Sequence, residues 1–237
     1  MKEGAAWYQL AALATGLVVV AASHAQTVLP PDPSKTIGGR VSFQGFVDEN
    51  GRDVAALAGT PNGLDPAPVW IVSPIYTRCP FTCSPITTAL KTALRESDLE
   101  PSAYRVVSLS FDPNETGESL RAFRAAMQLP AGWLTIRAAS TDALERTLGN
   151  LDFRTMVIGD GQYAHPNLLA VLAPDMRLNE YIFGVTFSPT QMASAVRAAR
   201  GGASSRARYG YVVVGSGIGL LVSAFIFFTV LLRRRRG

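Results

Sequence analysis

Two cysteines and two histidines in 237 residues exclude more chemistry than they admit. Two cysteines cannot build a disulfide-dense scaffold. Nor can they supply a four-thiolate zinc site, and one of the two histidines, His24, lies near the N-terminus. The chain shows no internal repeat and no low-complexity segment. Its formal net charge is +4, but once Lys2, Glu3 and the four arginines at 233–236 are set aside, bases and acids balance. Nothing in that balance points to nucleic acid.

Apolar sequence is abundant, and two runs of it stand at the ends. The first follows Lys2, runs from Leu10 to Ala22 and leads to "SHA" before Gln26, the order of a secretory signal peptide cut after Ala25. An uncleaved anchor is the alternative, and either one exports the middle of the chain. The second, "YGYVVVGSGIGLLVSAFIFFTVLL" (209–232), contains no charge and is long enough to span a bilayer as a helix. Tyr209 and Tyr211 suit the interfacial belt, and Arg233 to Arg236 outweigh Arg206 and Arg208 on the other side. The positive-inside rule then puts residues 233–237 in the cytoplasm as a basic tail and the domain outside, in a single-pass cell (inner) membrane protein. The cysteines are therefore expected in an oxidising, periplasmic or extracytoplasmic compartment.

Between the ends, residues 26–36 are Pro-rich and polar and read as an extended linker, and "GGASS" opens a second linker over 201–208. "RVSFQGFVDENGRDVAALAG" suggests a β-hairpin turning at Asn50-Gly51. "PVWIVSPIY" (68–76) predicts a strand buried on both faces. Ile86, Leu90, Ala93 and Leu94 then recur at helical spacing. "YRVVSLSF" (104–111) and "GWLTIRAA" (132–139) are further strands, separated by a helix with a Leu120, Phe123, Met127 stripe. Ser140 suits the N-cap of the next helix and Ser188 that of the last. "NLLAVLAPDMRLNEYIFG" reads as a hairpin between them. Alternating strands and helices imply a layered α/β domain with right-handed crossovers. A thioredoxin-like domain over 37–200 has this order, with its cysteines at the start of the first long helix.

Both cysteines sit in "RCPFTCSP", with three residues between them. So short a loop would constrain little of the unfolded chain, which argues for chemistry over stapling. On a helix, four residues rise about 6 Å and return to nearly the same face, so Cys79 and Cys83 are expected to point together at a helix N-terminus. That spacing permits a Cys79–Cys83 disulfide when oxidised, or two thiolates on one ion. Thiolates at low coordination number suit copper, particularly Cu(I). The third ligand would be His165, in "GDGQYAHPNLLAV", since His24 leaves with the signal peptide. An exposed loop histidine is the competing reading. Asp112 is a further polar candidate, with a plain turn or N-cap role in "DPNET" as its alternative.

"YTRCPFTC", "VVSLSFDP" and "HPNLLAVLAPDMRLNEYIFG" resemble the successive motifs of the Sco/SenC family, thioredoxin-fold copper proteins tethered to membranes. The resemblance implies that Cys79, Cys83 and His165 bind copper and that Asp112, matching the aspartate of an Asp-Pro motif, lies beside the site. It further implies delivery of copper, as Cu(I) or Cu(II), to the CuA site of cytochrome c oxidase or to another copper acceptor. Many members carry Asp between the cysteines and Pro after the second; here Phe81 and Ser84 stand there. The anchor is also C-terminal, where better-known members have an N-terminal one. The expectation is a metallochaperone more than an enzyme. The alternative is a thiol–disulfide oxidoreductase that acts on exported proteins through Cys79 and Cys83. Peroxide reduction, with Thr77 and Arg78 as the activating residues, is a weaker third reading.

Overall fold

The computed structural model describes residues 28–54 and 68–201. The segments read as signal peptide, transmembrane helix and basic tail lie outside the described residues. Among those described, no helix is long and apolar enough to cross a membrane.

The run expected to be buried on both faces forms β2 (Val69–Ile75), and all seven of its residues are buried. Apolar and β-branched side chains on both faces suit a central strand, because neither face meets water. A six-stranded sheet forms around it in the order β1-β4-β3-β2-β7-β8. The members are β1 (Phe46–Asp48), β3 (Tyr104–Ser110), β4 (Leu134–Ala138), β7 (Leu168–Leu172) and β8 (Leu178–Phe183). β2, β3 and β4 are mutually parallel, whereas β7 runs antiparallel to β2 and β8 antiparallel to β7. Parallel neighbours need crossovers. They are α2 (Cys83–Arg95) between β2 and β3, and α3 (Gly117–Met127) between β3 and β4.

α2 buries Cys83, Ile86, Thr87, Leu90, Ala93 and Leu94, the stripe that the helical spacing predicts. It packs on α3 and on α5 (Pro189–Arg200). Ser188 caps α5 by accepting the N–H of Gln191, and Ser140 caps α4 (Thr141–Asn150) by accepting that of Ala143. The mixed α/β domain expected from the order of elements is therefore present.

Two local expectations change, and one element appears where none was expected. The N-terminal hairpin keeps its turn, with Gly51 at φ +82°, and among the described residues its returning arm contributes the bridge Val47↔Asp53, with 55–59 lying outside them. Asp48 captures the N–H groups of Asn50 and Arg52 and tightens the turn, while the ladder of β1 forms with β4. The linker read over 26–36 ends in a helical turn, α1 (Pro33–Thr36), capped by Asp32. Asp32 is itself tied through its N–H to Asp152 at 2.8 Å. Gly38 and Gly39 then exchange backbone hydrogen bonds with Leu178, so this stretch covers the edge of β8. Finally, the segment before His165 is a second hairpin, β5 (Met156–Gly159) and β6 (Gln162–Ala164). Its signal was Asp160-Gly161, a dipeptide that supplies the positive φ such turns need, and Gly161 has φ +71°.

Ser140→Ala should cost about 1 kcal/mol, the usual worth of an N-cap. The expected measurement is a lower urea midpoint with an unchanged m-value. An unchanged midpoint would show that the cap contributes nothing here.

Candidate metal centre

Because β2, β3 and β4 are parallel, the loops that leave them emerge at one edge of the sheet. The turn after β2 carries Cys79, and the loop after β3 carries Asp112. β7 opposes β2 with Trp70 facing Leu172 and Val72 facing Ala170. The residues that precede β7 therefore arrive where β2 ends, and the last of the β5–β6 hairpin before them is followed directly by His165. Register alone brings the histidine to the cysteines.

The cysteines reach the site differently from expectation. Only Cys83 lies on the helix, as its first residue; Cys79 sits in the preceding turn, where its N–H donates to the Tyr76 carbonyl at 3.1 Å. Pro80 accounts for this, since the residue before a proline is disfavoured in the helical region. The two side chains still converge. Cys79, Cys83 and His165 each present a ligand atom, and these atoms all lie within 4.8 Å of one another. Both cysteines are free thiols in the structure. Cys83 is buried at 1 % exposure, whereas Cys79 and His165 are half-buried.

The thiols are unequal. The Cys83 S–H donates to Cys79, and the N–H groups of Cys83, Phe81 and Thr82 also point at that sulfur. Together they hold the Cys79 thiol well below the usual range despite its partial burial. Thr82, the N-cap of α2, makes no side-chain capping bond, so the Cys79 sulfur takes the place of a capping oxygen. Its hydrogen bond to the Cys79 sulfur, and then burial, push the Cys83 thiol up. Cys79 ionises first and Cys83 remains protonated beside it.

His165 is wedged among rings. Its centroid lies 4.9 Å from that of Phe111, 6.0 Å from Phe153 and 6.1 Å from Tyr76. Nδ1 lies 3.2 Å from the Pro166 carbonyl, and since a carbonyl only accepts, that contact puts the proton on Nδ1. Nε2 is then the nitrogen with a lone pair for a metal. Asp112 is beside this group and not part of it. Its carboxylate accepts from Arg78 at 2.6 Å, Tyr163 Oη at 3.2 Å and the N–H of Asn114 at 2.9 Å. It thereby links the cysteine turn, through Arg78, to the histidine hairpin, through Tyr163. A Cβ at Gly161 would stand 3.2 Å from the Arg78 guanidinium, so the hairpin turn rests on that same side chain.

The residues that sequence reasoning missed are Tyr163, Tyr76 and Glu115. Glu115 is buried and accepts from Thr77, just ahead of the cysteines. An acid three residues after Asp112 looks like helix-capping sequence, which concealed it.

A domain of this architecture, with two sulfurs and an imidazole at the sheet's edge, belongs to the thioredoxin-like class and can hold a metal ion. No family model and no curated protein matches the sequence. Solved structures do match. A protein from Aquifex aeolicus VF5, provisionally described as an electron transfer protein, is 29% identical with a TM-score of 0.63, over 70% of this chain and 95% of that one. A SCO1/SenC family lipoprotein from Bacillus anthracis is 18% identical, with a TM-score of 0.56 over 70% and 96%. Arabidopsis thaliana ScoI, solved with copper bound, is 17% identical, with a TM-score of 0.55 over 69% and 98%. The fold is that of these Sco/SenC proteins.

In the reduced, metal-free protein, Cys79 should react with iodoacetamide at a rate nearly flat between pH 5.5 and 7.5, with Cys83 unmodified by peptide mapping. An ordinary thiol, with a pKa of about 8.5, would gain roughly 100-fold over that span. A tenfold rise per pH unit at Cys79 would contradict the depressed pKa.

Proposed function

We propose that this protein is a membrane-tethered, extracytoplasmic copper carrier of the Sco type. Cys79 and Cys83 supply thiolates, His165 supplies Nε2, and Asp112 steadies the two loops that carry them. The observation that bears most weight is the convergence of these three side chains from distant parts of the chain to within 4.8 Å. Two sulfurs and one nitrogen make a poor zinc site, which wants four ligands, and a good low-coordinate copper site. Members of the Sco family are cytochrome c oxidase assembly proteins. In this reading copper is cargo, and it passes to the CuA site of the oxidase or to another acceptor. The apolar run at 209–232 is the anchor, with the arginines after it in the cytoplasm and the signal peptide at 1–25 directing export.

A second reading, thiol–disulfide exchange, draws support from the inequality of the two thiols. The Cys79 thiolate attacks a substrate disulfide and forms a mixed disulfide, and one substrate sulfur leaves as a thiol. Cys83 then gives up its proton and attacks the Cys79 sulfur, and the second substrate sulfur leaves, takes up a proton and is released as a thiol, leaving a Cys79–Cys83 disulfide. Two electrons pass to the substrate, and an external dithiol must restore the pair. This chemistry suits the cysteines of a copper acceptor before metal transfer, so one protein can perform both tasks.

Anaerobic titration of the reduced protein with Cu(I), against a chromophoric competitor, should give one copper per chain, with sulfur and nitrogen coordination in X-ray absorption. Loss of groups that merely orient a ligand costs about 10–100-fold in affinity. His165→Ala should therefore cost at least about tenfold and remove the nitrogen contribution, with the circular dichroism unchanged. Full affinity and an unchanged spectrum in that variant would falsify the role of His165. Mixed disulfides trapped by Cys83→Ser, without copper binding by the wild type, would favour the second reading.

A further inference from the structure

The turn from Thr77 to Thr82 has to hold the Cys79 sulfur beside that of Cys83, the first residue of α2, with little backbone structure of its own. Pro80 has no N–H, and the turn lies outside both β2 and α2. What anchors it is a side chain from another loop. The carboxylate of Glu115, 8 % exposed, accepts the Thr77 N–H at 3.0 Å and the Ser110 hydroxyl at 2.8 Å on Oε2. On Oε1 it accepts the Thr77 hydroxyl at 2.7 Å and that of Ser119. Four donors match the four lone-pair positions of a carboxylate. They come from three places: the start of the cysteine turn, the end of β3 and the first turn of α3. Charge-assisted hydrogen bonds of this kind are roughly twice as strong as neutral ones.

We propose that Glu115 is the positioning residue of the metal centre, clamping Thr77 so that Cys79 and Cys83 are held in register with His165. This deepens the copper reading and rests on it. Glu115 touches no ligand atom; it acts through the backbone two residues before Cys79. Asp112 joins the cysteine turn to the histidine hairpin from the outside, through the half-exposed Arg78. Glu115 joins the same turn to β3 and α3 from beneath. The two carboxylates of one loop thus fix the turn at adjacent residues, Thr77 and Arg78.

The geometry makes glutamine an informative substitution. In Glu115→Gln the side-chain carbonyl oxygen can accept what Oε2 accepts, including the Thr77 N–H, which can only donate. The new amide can donate to the hydroxyls of Thr77 and Ser119, which rotate to accept. Glu115→Gln should therefore keep all four contacts, whereas Glu115→Ala removes them.

The test uses the full chain, reduced and metal-free, and then loaded with Cu(I). In Glu115→Ala, Cys83 should become open to iodoacetamide while Cys79 loses its advantage, and Cu(I) affinity should fall about tenfold or more. The sulfur-to-nitrogen ratio by X-ray absorption should change as well. Glu115→Gln should stay near wild type in all three, with both variants checked for fold by circular dichroism. A Glu115→Ala protein with wild-type alkylation and copper affinity overturns the proposal, as does a Glu115→Gln protein as impaired as Glu115→Ala. If Glu115→Ala does not fold, Glu115→Asp replaces it: the carboxylate retracts by about 1.5 Å and cannot reach all four donors. That variant should behave as described for alanine, and wild-type behaviour would overturn the proposal. A wild-type protein that binds no copper sinks the function proposed above, and the alkylation pattern alone then decides the role of Glu115.

Discussion

The antiparallel pairing of β7 with β2 is the constraint on which the site depends. It delivers residues 165–167 to the point where β2 releases the cysteine turn. Both strands are buried on both faces, so alternation of polar and apolar residues cannot set their register. Other features have to. The β7–β8 turn is held by Ala173 and Arg177, whose backbones pair at 2.8 Å, and by Met176 at φ +67°. At the other end of β7, His165 is fixed among Phe111, Phe153 and Tyr76. A slip of one residue would break both ends at once. The aromatic setting therefore serves the register as well as the imidazole.

Negative charge is arranged around this edge with some care. Two buried carboxylates, Asp112 and Glu115, lie close to a sulfur pair that favours one thiolate. Each is fully engaged by donors: Asp112 by a guanidinium, a phenol and an N–H, Glu115 by three hydroxyls and an N–H. Engagement of this kind keeps a buried carboxylate from the cost of desolvation without a partner. The thiolate is stabilised separately, by the open N-terminus of α2 and the neighbouring S–H. A proton kept on Cys83 leaves one negative charge in the sulfur pair instead of two.

Much of this was legible in the sequence because it follows from periodicity. The buried stripe of α2, the caps Ser140 and Ser188, and the double-faced burial of β2 were each visible as spacing or residue type. The convergence of Cys79, Cys83 and His165 was an expectation that needed the thioredoxin-like order as a bridge, since 82 to 86 residues separate the histidine from the cysteines along the chain. What sequence reasoning lost was local and non-periodic. Pro80 takes Cys79 off the helix, which a helical-wheel argument cannot represent. Glu115 looked like capping sequence because its partners, Thr77 and Ser110, are distant or on a strand. The β5–β6 hairpin was missed because strands of four and three residues carry too little alternation to stand out from a loop.

Burial grades Cys79, Cys83 and His165, and on the carrier reading proposed above that grading sets the order in which they would release a metal. Cys83 is sealed at 1 % exposure, while Cys79 and His165 are half-open, and between the cysteines Phe81 stands 70 % exposed. On that reading, exchange of a cargo metal would begin at the shallow residues, Cys79 and His165, and end at the deep one. An acceptor could then engage the ion while Cys83 still held it, so that no free ion would form. The surface beside Cys79 carries an aromatic ring, Phe81, in place of a carboxylate. With Phe81 there and the Arg78 guanidinium exposed beside Cys79, this surface would neither repel an acidic acceptor nor compete for the ion as a carboxylate would. The carboxylates that tie the cysteine turn in place, Glu115 and Asp112, lie beneath the surface, so Phe81 at the rim can change without touching the contacts that bring Cys79, Cys83 and His165 together.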